Sequence, residues 1–214
     1  MASKFGHKKI YLVPPGIDNY YKPVAGMQSS IPTIGCLWHE SSKKNSSFII
    51  AVMNYLVKSG TKAKLLLISA KVPESFLIPE KFTIFEEARF PYSFIINPPQ
   101  QVLPSIYSSC NVWASVSLNE GFGLTTLEAM ACGVPVVASN TSSLPEVGGE
   151  AALYSDPTDV YEMSENIKHL LEDSVLREEM IRRGLKQVKN FTWFNAANSL
   201  LECFNGLDGE KKHV

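Results

Sequence analysis

Short apolar runs recur along this chain, most of them separated by stretches long enough for a helix. That alternation is the strongest constraint on how it folds. The runs are KIYLV (9–13), IPTIG (31–35), KLLLIS (64–69), YSFIIN (92–97), NVWASV (111–116), VPVVAS (134–139) and AALY (151–154). A strand covered on both faces reads as a continuous apolar run, whereas a strand with one wet face alternates. Strands of the first kind, interleaved with helices, predict an α/β fold: a parallel sheet with helices on both faces.

The helical stretches carry their own signals. Phe48, Ile49, Val52, Tyr55 and Leu56 recur at helical spacing, and Gly60 is placed to stop that helix. PPQQVLPSIYSSC reads as a helix with Pro104 in its first turn, and a further helix spans about 123–132. Val160, Met163, Ile167, Leu170 and Leu171 share one face, Ser174 is a candidate N-cap for the next helix, and Thr192 for the last. These C-terminal helices, about 157–204, are expected to pack on the sheet, with Trp193 and Phe204 anchoring the last one through their large apolar area. Pro73 and Pro79 leave 72–90 open between short helices and loop. The organisation expected is a disordered head (1–8), a linker and strand (9–30) rich in turn residues such as Pro14, Pro15, Gly16 and Pro23, one domain (31–206) and a flexible tail (207–214).

At 214 residues and 45% apolar composition, the chain can bury a full core. A net charge of −1 argues against a nucleic-acid or anionic-membrane binder. Cys36, Cys110, Cys132 and Cys203 form no C-x-x-C pair and have no histidine at zinc spacing, so they read as buried free thiols and no metal site is expected. No run is long enough to span a membrane and the N-terminus lacks the apolar core of a signal peptide, which together predict a cytoplasmic protein.

The chemistry concentrates in NEGFGLTTLEAMACGVPVVAS, residues 119–139. On a helical wheel Leu124, Leu127, Met130 and Ala131 form the apolar face, and Glu128 lies at its edge beside Leu124. A carboxylate there is partly dehydrated and needs donors from protein or ligand; a sugar diol offers two. Gly121 and Gly123 let the backbone approach a ligand, and the first helical N–H groups, about Gly123 to Thr126, face outward as a phosphate site. Glu120 sits in the turn just before them. The spacing of two glutamates alone is weak, since such residues are usually solvated or capping.

The longer string EGFGLTTLEAMACGVPVVASNTSSLPEVGGEAALYSDPTD resembles the signature of retaining, group 1 glycosyltransferases of the GT-B fold. The likeness extends back through LPSIYSSCNVWASVSLNE and LVPPGID and on to FTW at 191–193, covering most of residues 10–204. It implies that this is a Rossmann-like, nucleotide-sugar-binding domain, one half of a GT-B fold. By the same resemblance, Glu120 contacts hydroxyls of the donor sugar, and the backbone of Gly121, Phe122 and Gly123 lies against it. Leu124 and Thr125 present amides to the diphosphate, Glu128 holds the ribose, and Asn97 and Pro98 lie near the base. Lys44 matches a lysine of the family and, with Glu120, is assigned to the catalytic group. The nucleoside-diphosphate sugar is a substrate, and retaining members require no cofactor or metal.

Two departures stand out. In IGCLWHESSKKN, Cys36 occupies the position where the family usually has arginine, and no arginine precedes Arg89. A diphosphate would then rest on Lys44, with Lys43 in reserve and His39 nearby, a point charge in place of a planar fork. The likeness also begins at the family's interdomain segment, so the acceptor half is expected from a further N-terminal domain or a partner subunit. A non-catalytic nucleotide-sugar-binding module, or another activity on the same fold such as an epimerase or phosphorylase, are the competing readings.

Overall fold

The computed structural model describes residues 11–73, 85–86 and 88–208. Six strands form one sheet: β1 (Thr33–Leu37), β2 (Lys64–Ser69), β3 (Tyr92–Ile96), β4 (Val112–Ser115), β5 (Val136–Ser139) and β6 (Ala152–Ser155). Their order is β3-β2-β1-β4-β5-β6. Every pairing is parallel, with Gly35 opposite Leu66 on one side and Trp113 on the other. Parallel neighbours cannot be joined by a tight turn, so each connection crosses over one face of the sheet.

The crossovers bury both faces. On one, α1 (Phe48–Lys58) contributes Ile49, Val52, Met53 and Leu56, and α5 (Val160–Glu172) contributes Met163, Ile167 and Leu170. On the other lie α2 (Leu103–Ser108), α3 (Leu124–Ala131) and α4 (Leu144–Gly148), whose Tyr107, Ala129, Met130 and Leu144 close over Trp113 and Val136. Helix α6 (Ser174–Gln187) packs its Gly184 on Met130, and α7 (Trp193–Asp208) follows. The α/β, doubly covered architecture is the one the sequence predicts.

Several details differ from expectation. The strand expected at 31–35 runs from Thr33 to Leu37: Pro32 has no N–H to give the ladder, though its carbonyl accepts from Lys64 N at 2.9 Å. Residues 11–13 of the expected KIYLV strand are not in a strand, and 9–10 lie outside the described residues. So do the head, the tail beyond 208 and most of 72–90. Ser174 is the first residue of α6, not its cap. The cap is Asp173, whose carboxylate accepts from Leu176 N at 2.9 Å and, being charged, suits the positive helix end better than a hydroxyl. Thr192 does cap α7, accepting from Asn195 N at 3.1 Å. Helix α4 escaped the sequence reading because its five residues are too few to show a period.

The largest correction concerns α7. Trp193 and Phe204 are 57% and 55% exposed, and Phe194 and Leu201 share the outward stripe. The expectation that Trp193 and Phe204 anchor this helix rested on their size alone, which does not say whether they face the sheet or solvent. The helix is tied instead to the linker: Ile17 N donates to Phe191 O at 2.9 Å, and Trp193 Nε1 to Asp18 Oδ1 at 2.9 Å.

At the centre of the sheet, a Cβ on Gly35 would stand 2.6 Å from both Cys110 Sγ and Trp113 Cε3, and neither buried side chain has room to move. Gly35→Ala is therefore expected to lower stability by about 1–3 kcal/mol. Urea unfolding should show a lower midpoint with an unchanged slope.

Candidate functional site

The strand order reverses between β1 and β4. From β1 the chain crosses to β2 and β3 on one side; from β4 it crosses to β5 and β6 on the other. The connections leaving these two neighbours diverge to opposite faces and open a crevice above their carboxyl ends, where open α/β sheets bind ligands.

Two loops line that crevice. The one after β1 ends in a single 3-10 turn, Ser42–Lys44, closed by Asn45 in the left-handed region (φ 53°), a conformation asparagine tolerates. The one after β4 runs through Glu120 to Gly123. Lys43 O accepts from the backbone N–H groups of both Leu118 (2.8 Å) and Asn119 (3.0 Å), which stitches the loops together. Above the stitch, Lys44 Nζ donates to Glu120 Oε1 at 2.6 Å and Oε2 at 2.7 Å, and Ser117 Oγ donates to Oε2 at 3.0 Å. The backbone of Glu120 is held from the loop after β5. Ser142 Oγ accepts from Glu120 N at 3.1 Å and donates to Glu120 O at 2.7 Å, while Ser143 Oγ reaches Glu120 O at 3.1 Å and Phe122 O at 2.9 Å. Ser117, Ser142 and Ser143 were not foreseen. The serine pair before Leu144-Pro145 was a visible turn signal, but nothing in it names its partner.

Helix α3 starts at the mouth of the crevice. Gly123 is its N-cap, at φ 104°, and Thr126 N donates back to Gly123 O at 3.0 Å. Leu124 and Thr125 thus form the first turn, where a helix leaves its N–H groups for other partners. Leu127, Met130 and Ala131 are buried as expected, but Leu124 is 40% exposed and belongs to the crevice mouth, not to the apolar face. Thr125 lines a small cavity with Cys36, Lys44, Ser117 and Glu120.

One turn further along, Glu128 is half-buried and accepts from the Tyr107 hydroxyl at 2.6 Å. Burial raises its carboxyl above the usual range; hydrogen bonding from Tyr107 and Tyr21 acts to lower it, and Asp18 to raise it. The partly buried carboxyl at the edge of the face is present, and part of its donor requirement is met by Tyr107.

Cys36 is buried on β1, where burial pushes its thiol up to about 12, so it contributes no charge to the crevice. His39 is exposed and its Nδ1 accepts from Ser41 N at 2.9 Å, a turn-forming role. Asn97 ends β3 at φ 46°, its N–H donating to Ser69 O at 2.7 Å, with Pro98 following. Both lie on the carboxyl side of the sheet but two strands from β1, and so apart from the Lys44–Glu120 cluster. Among the described residues no group of three His, Cys, Asp or Glu side chains is placed to hold a metal ion.

The sequence pattern of the group 1 glycosyl transferases matches residues 41–187, more than half of the chain. The chain belongs to this family. It is 45% identical over 106 residues to an O-antigen chain mannosyltransferase B of Escherichia coli, a match covering 50% of this chain and 28% of that protein. A D-inositol 3-phosphate glycosyltransferase of Corynebacterium diphtheriae is 37% identical over 109 residues, covering 50% and 26%. Among solved structures, a sucrose-phosphate synthase from Thermosynechococcus elongatus superposes with a TM-score of 0.80 at 24% identity, over 93% of this chain and 53% of its own. The C-terminal domain of a group 1 glycosyl transferase from Francisella tularensis does so with 0.66 at 21%, over 82% and 97%. At these identities the structural likeness speaks for the fold, one Rossmann-like half of a GT-B glycosyltransferase. The chain spans about half the length of the first of these solved proteins, and its matched segments span about a quarter of the two relatives.

Within this group 1 domain the two glycines of GFG are not equivalent. A Cβ on Gly123 would be held at positive φ and meet Leu144 Cδ2 at 3.0 Å, whereas one on Gly121 would meet nothing within 4 Å. Gly123→Ala should cost roughly 1–2 kcal/mol of stability, and Gly121→Ala almost none. Thermal unfolding of the two variants side by side measures the difference.

Proposed function

We propose that this chain is the donor-binding half of a retaining glycosyltransferase that moves a sugar from a nucleoside-diphosphate sugar to an acceptor. The observation that carries the reading is the meeting of Lys44, Glu120 and the first turn of α3 at the strand switch point. In this reading Lys44 and the amides of Leu124 and Thr125 take the negative charge that develops on the departing diphosphate, the interaction that enzymes of this chemistry exploit most. Glu120 accepts hydrogen bonds from the donor sugar's hydroxyls. The backbone of Gly121, Phe122 and Gly123 lies against that sugar, Glu128 holds the ribose diol, and Asn97 and Pro98 border the base. The anomeric carbon–phosphate oxygen bond breaks, the acceptor oxygen bonds to that carbon from the same face, and its proton passes to the leaving diphosphate. Lys44 and the helix amides supply the positive charge, so the reading requires no cofactor or metal.

The acceptor side of the cleft comes, in this reading, from a further N-terminal domain or a partner subunit. The outward apolar stripe of α7 and the partial span of the relatives support that. Among the described residues no helix is long and apolar enough to cross a membrane. The four unpaired cysteines fit a reducing, cytoplasmic setting. A second reading, a nucleotide-sugar-binding module without catalysis, is favoured by one observation: the neutral, buried Cys36 where the family usually carries arginine.

Calorimetric titration with UDP, GDP and their sugars tests the binding. Glu128→Gln and Lys44→Ala are each expected to weaken nucleoside-diphosphate binding about tenfold or more, the value of a hydrogen bond to a charged group. Lys44→Ala should also flatten the salt dependence. Unchanged affinities in both variants would remove the reading. A transfer assay separates the two classes. The chain alone should bind but not transfer, because half a cleft cannot hold donor and acceptor together. Turnover should appear when the acceptor domain is supplied, and its absence then would favour the binding module.

A further inference from the structure

The segment before β1 does more than lead into the sheet. It is pinned by Val24 N to Ser108 Oγ at 3.0 Å, by Ile17 N to Phe191 O and by Trp193 Nε1 to Asp18 Oδ1. Between these ties Tyr21 is buried, stacked on Tyr20 at 4.7 Å and edge-on to Tyr107 at 6.1 Å. Tyr107, at the end of α2, packs edge-on against the fully buried Trp113 at 4.7 Å and donates its hydroxyl to Glu128 Oε2. Tyr21 packs against that ring, and its hydroxyl favours the ionised form of the same carboxyl. Two aromatic rings wedged in the core, one packed on the other, thus hold the Tyr107 O–H donor on a carboxylate that projects from a helix beginning in the crevice.

An ionised carboxylate offers about four lone-pair positions. The Tyr107 donor takes one, and the rest leave room for the two that a vicinal diol needs. We propose that Tyr107 and Tyr21 are positioning residues for Glu128: they fix its carboxylate so that its remaining lone pairs face the ribose, and Tyr21 does so from the linker. This rests on the reading of Glu128 as the ribose ligand. Because Tyr21 belongs to the segment preceding the domain, the linker's seat against α2 and α7 becomes a condition for nucleotide binding.

The groups acting on Glu128 come from every side. Tyr107 lies on α2 and Tyr21 and Asp18 on the linker, while Cys132, just beyond its own helix, is a thiol that Glu128 itself raises. Burial and the adjoining carboxyl raise both tyrosine hydroxyls well above their ordinary range, so they remain protonated donors. The two hydroxyls oppose the rise that burial and then Asp18 impose on Glu128. Removing one hydroxyl therefore raises the carboxyl further, and the ionised, diol-accepting form is reached only at higher pH.

The test uses the whole chain and titrates UDP and GDP, with their 2′- and 3′-deoxy analogues, across roughly pH 5 to 8. Affinity for the ribonucleotides should fall as pH drops through the Glu128 range. Tyr107→Phe and Tyr21→Phe keep the rings, so folding survives, as unfolding curves will check. Each should move that profile to higher pH and weaken binding about threefold to tenfold at its acid end, with less loss at its alkaline end. Neither should matter in a Glu128→Gln background or toward the deoxy analogues. A loss of equal size at every pH, or one that persists in the Glu128→Gln background, would make the tyrosines packing residues only and overturn the proposal. If Glu128→Gln itself leaves binding unchanged, or neither nucleotide binds, the underlying reading of the site fails instead.

Discussion

The pairing of Lys44 with Glu120 is the contact on which the crevice depends. It joins the loop after β1 to the loop after β4, the two neighbours whose connections part to opposite faces of the sheet. A parallel sheet opens a crevice there by topology alone, but an open crevice between two independent loops would have no fixed shape. The stitch from Lys43 O to Leu118 N and Asn119 N fixes the backbones, and the ion pair fixes the charges. With both side chains only partly exposed, the pair is screened less than a surface bridge would be, and neither charge is left alone in a partly dry site. It also fits a carboxylate standing where a diphosphate is proposed to bind. Lys44 neutralises Glu120 in this structure, and in the proposed reading a ligand would offer phosphate oxygens to the ammonium and hydroxyl donors to the carboxylate, so that each charge exchanges its partner without being stranded.

The site is assembled from short polar side chains seated on buried strands. Ser115 on β4 shares a hydrogen bond with Thr126 of α3 at 2.8 Å, and Ser139 on β5 donates to Ser115 O at 3.3 Å. These bonds hold the start of α3 against the strand ends, while Leu127 and Met130 bury the rest of the helix in the core. Amide groups in the first turn of a helix stabilise charge only if the helix does not move when the charge appears. Here the packing that gives the fold its stability and the preorganisation the proposed chemistry needs are the same contacts.

The sequence revealed most of this frame because continuous apolar runs and helical periodicity are local. KLLLIS became β2 with the expected boundaries, and Gly60, at φ 94°, ends α1 as expected. The carboxylate at the edge of α3 was legible on a wheel, as was its need for donors. Much of what stayed hidden in the site was a partner distant in sequence. Lys44 and Glu120 are 76 residues apart, Glu120 and Ser142 are 22 apart, and Tyr107 reaches Glu128 across 21. Trp193 and Phe204 of α7 were expected to be buried anchors and are exposed, because a large aromatic looks the same in sequence on either side of a helix. Asp173 took the cap from Ser174 for a similar reason: two neighbouring residues were both competent, and the turn of the chain chose between them.

Glu128 shows what such a site costs the fold. Its carboxyl is raised by burial relative to an unfolded chain, so the native state binds this proton more tightly than the unfolded state does. Stability then declines as pH climbs from the ordinary carboxyl range to the raised one, and levels off above it, since only the unfolded side gains by ionising early. A leucine in the same place would avoid that loss, but a leucine has no lone pairs for a diol. The hydroxyls of Tyr107 and Tyr21 narrow the loss by stabilising the ionised form, and they do so from rings whose own burial against Trp113 and Tyr20 strengthens the core. The aromatic cluster beneath the crevice thus offsets part of the destabilisation that the carboxylate introduces.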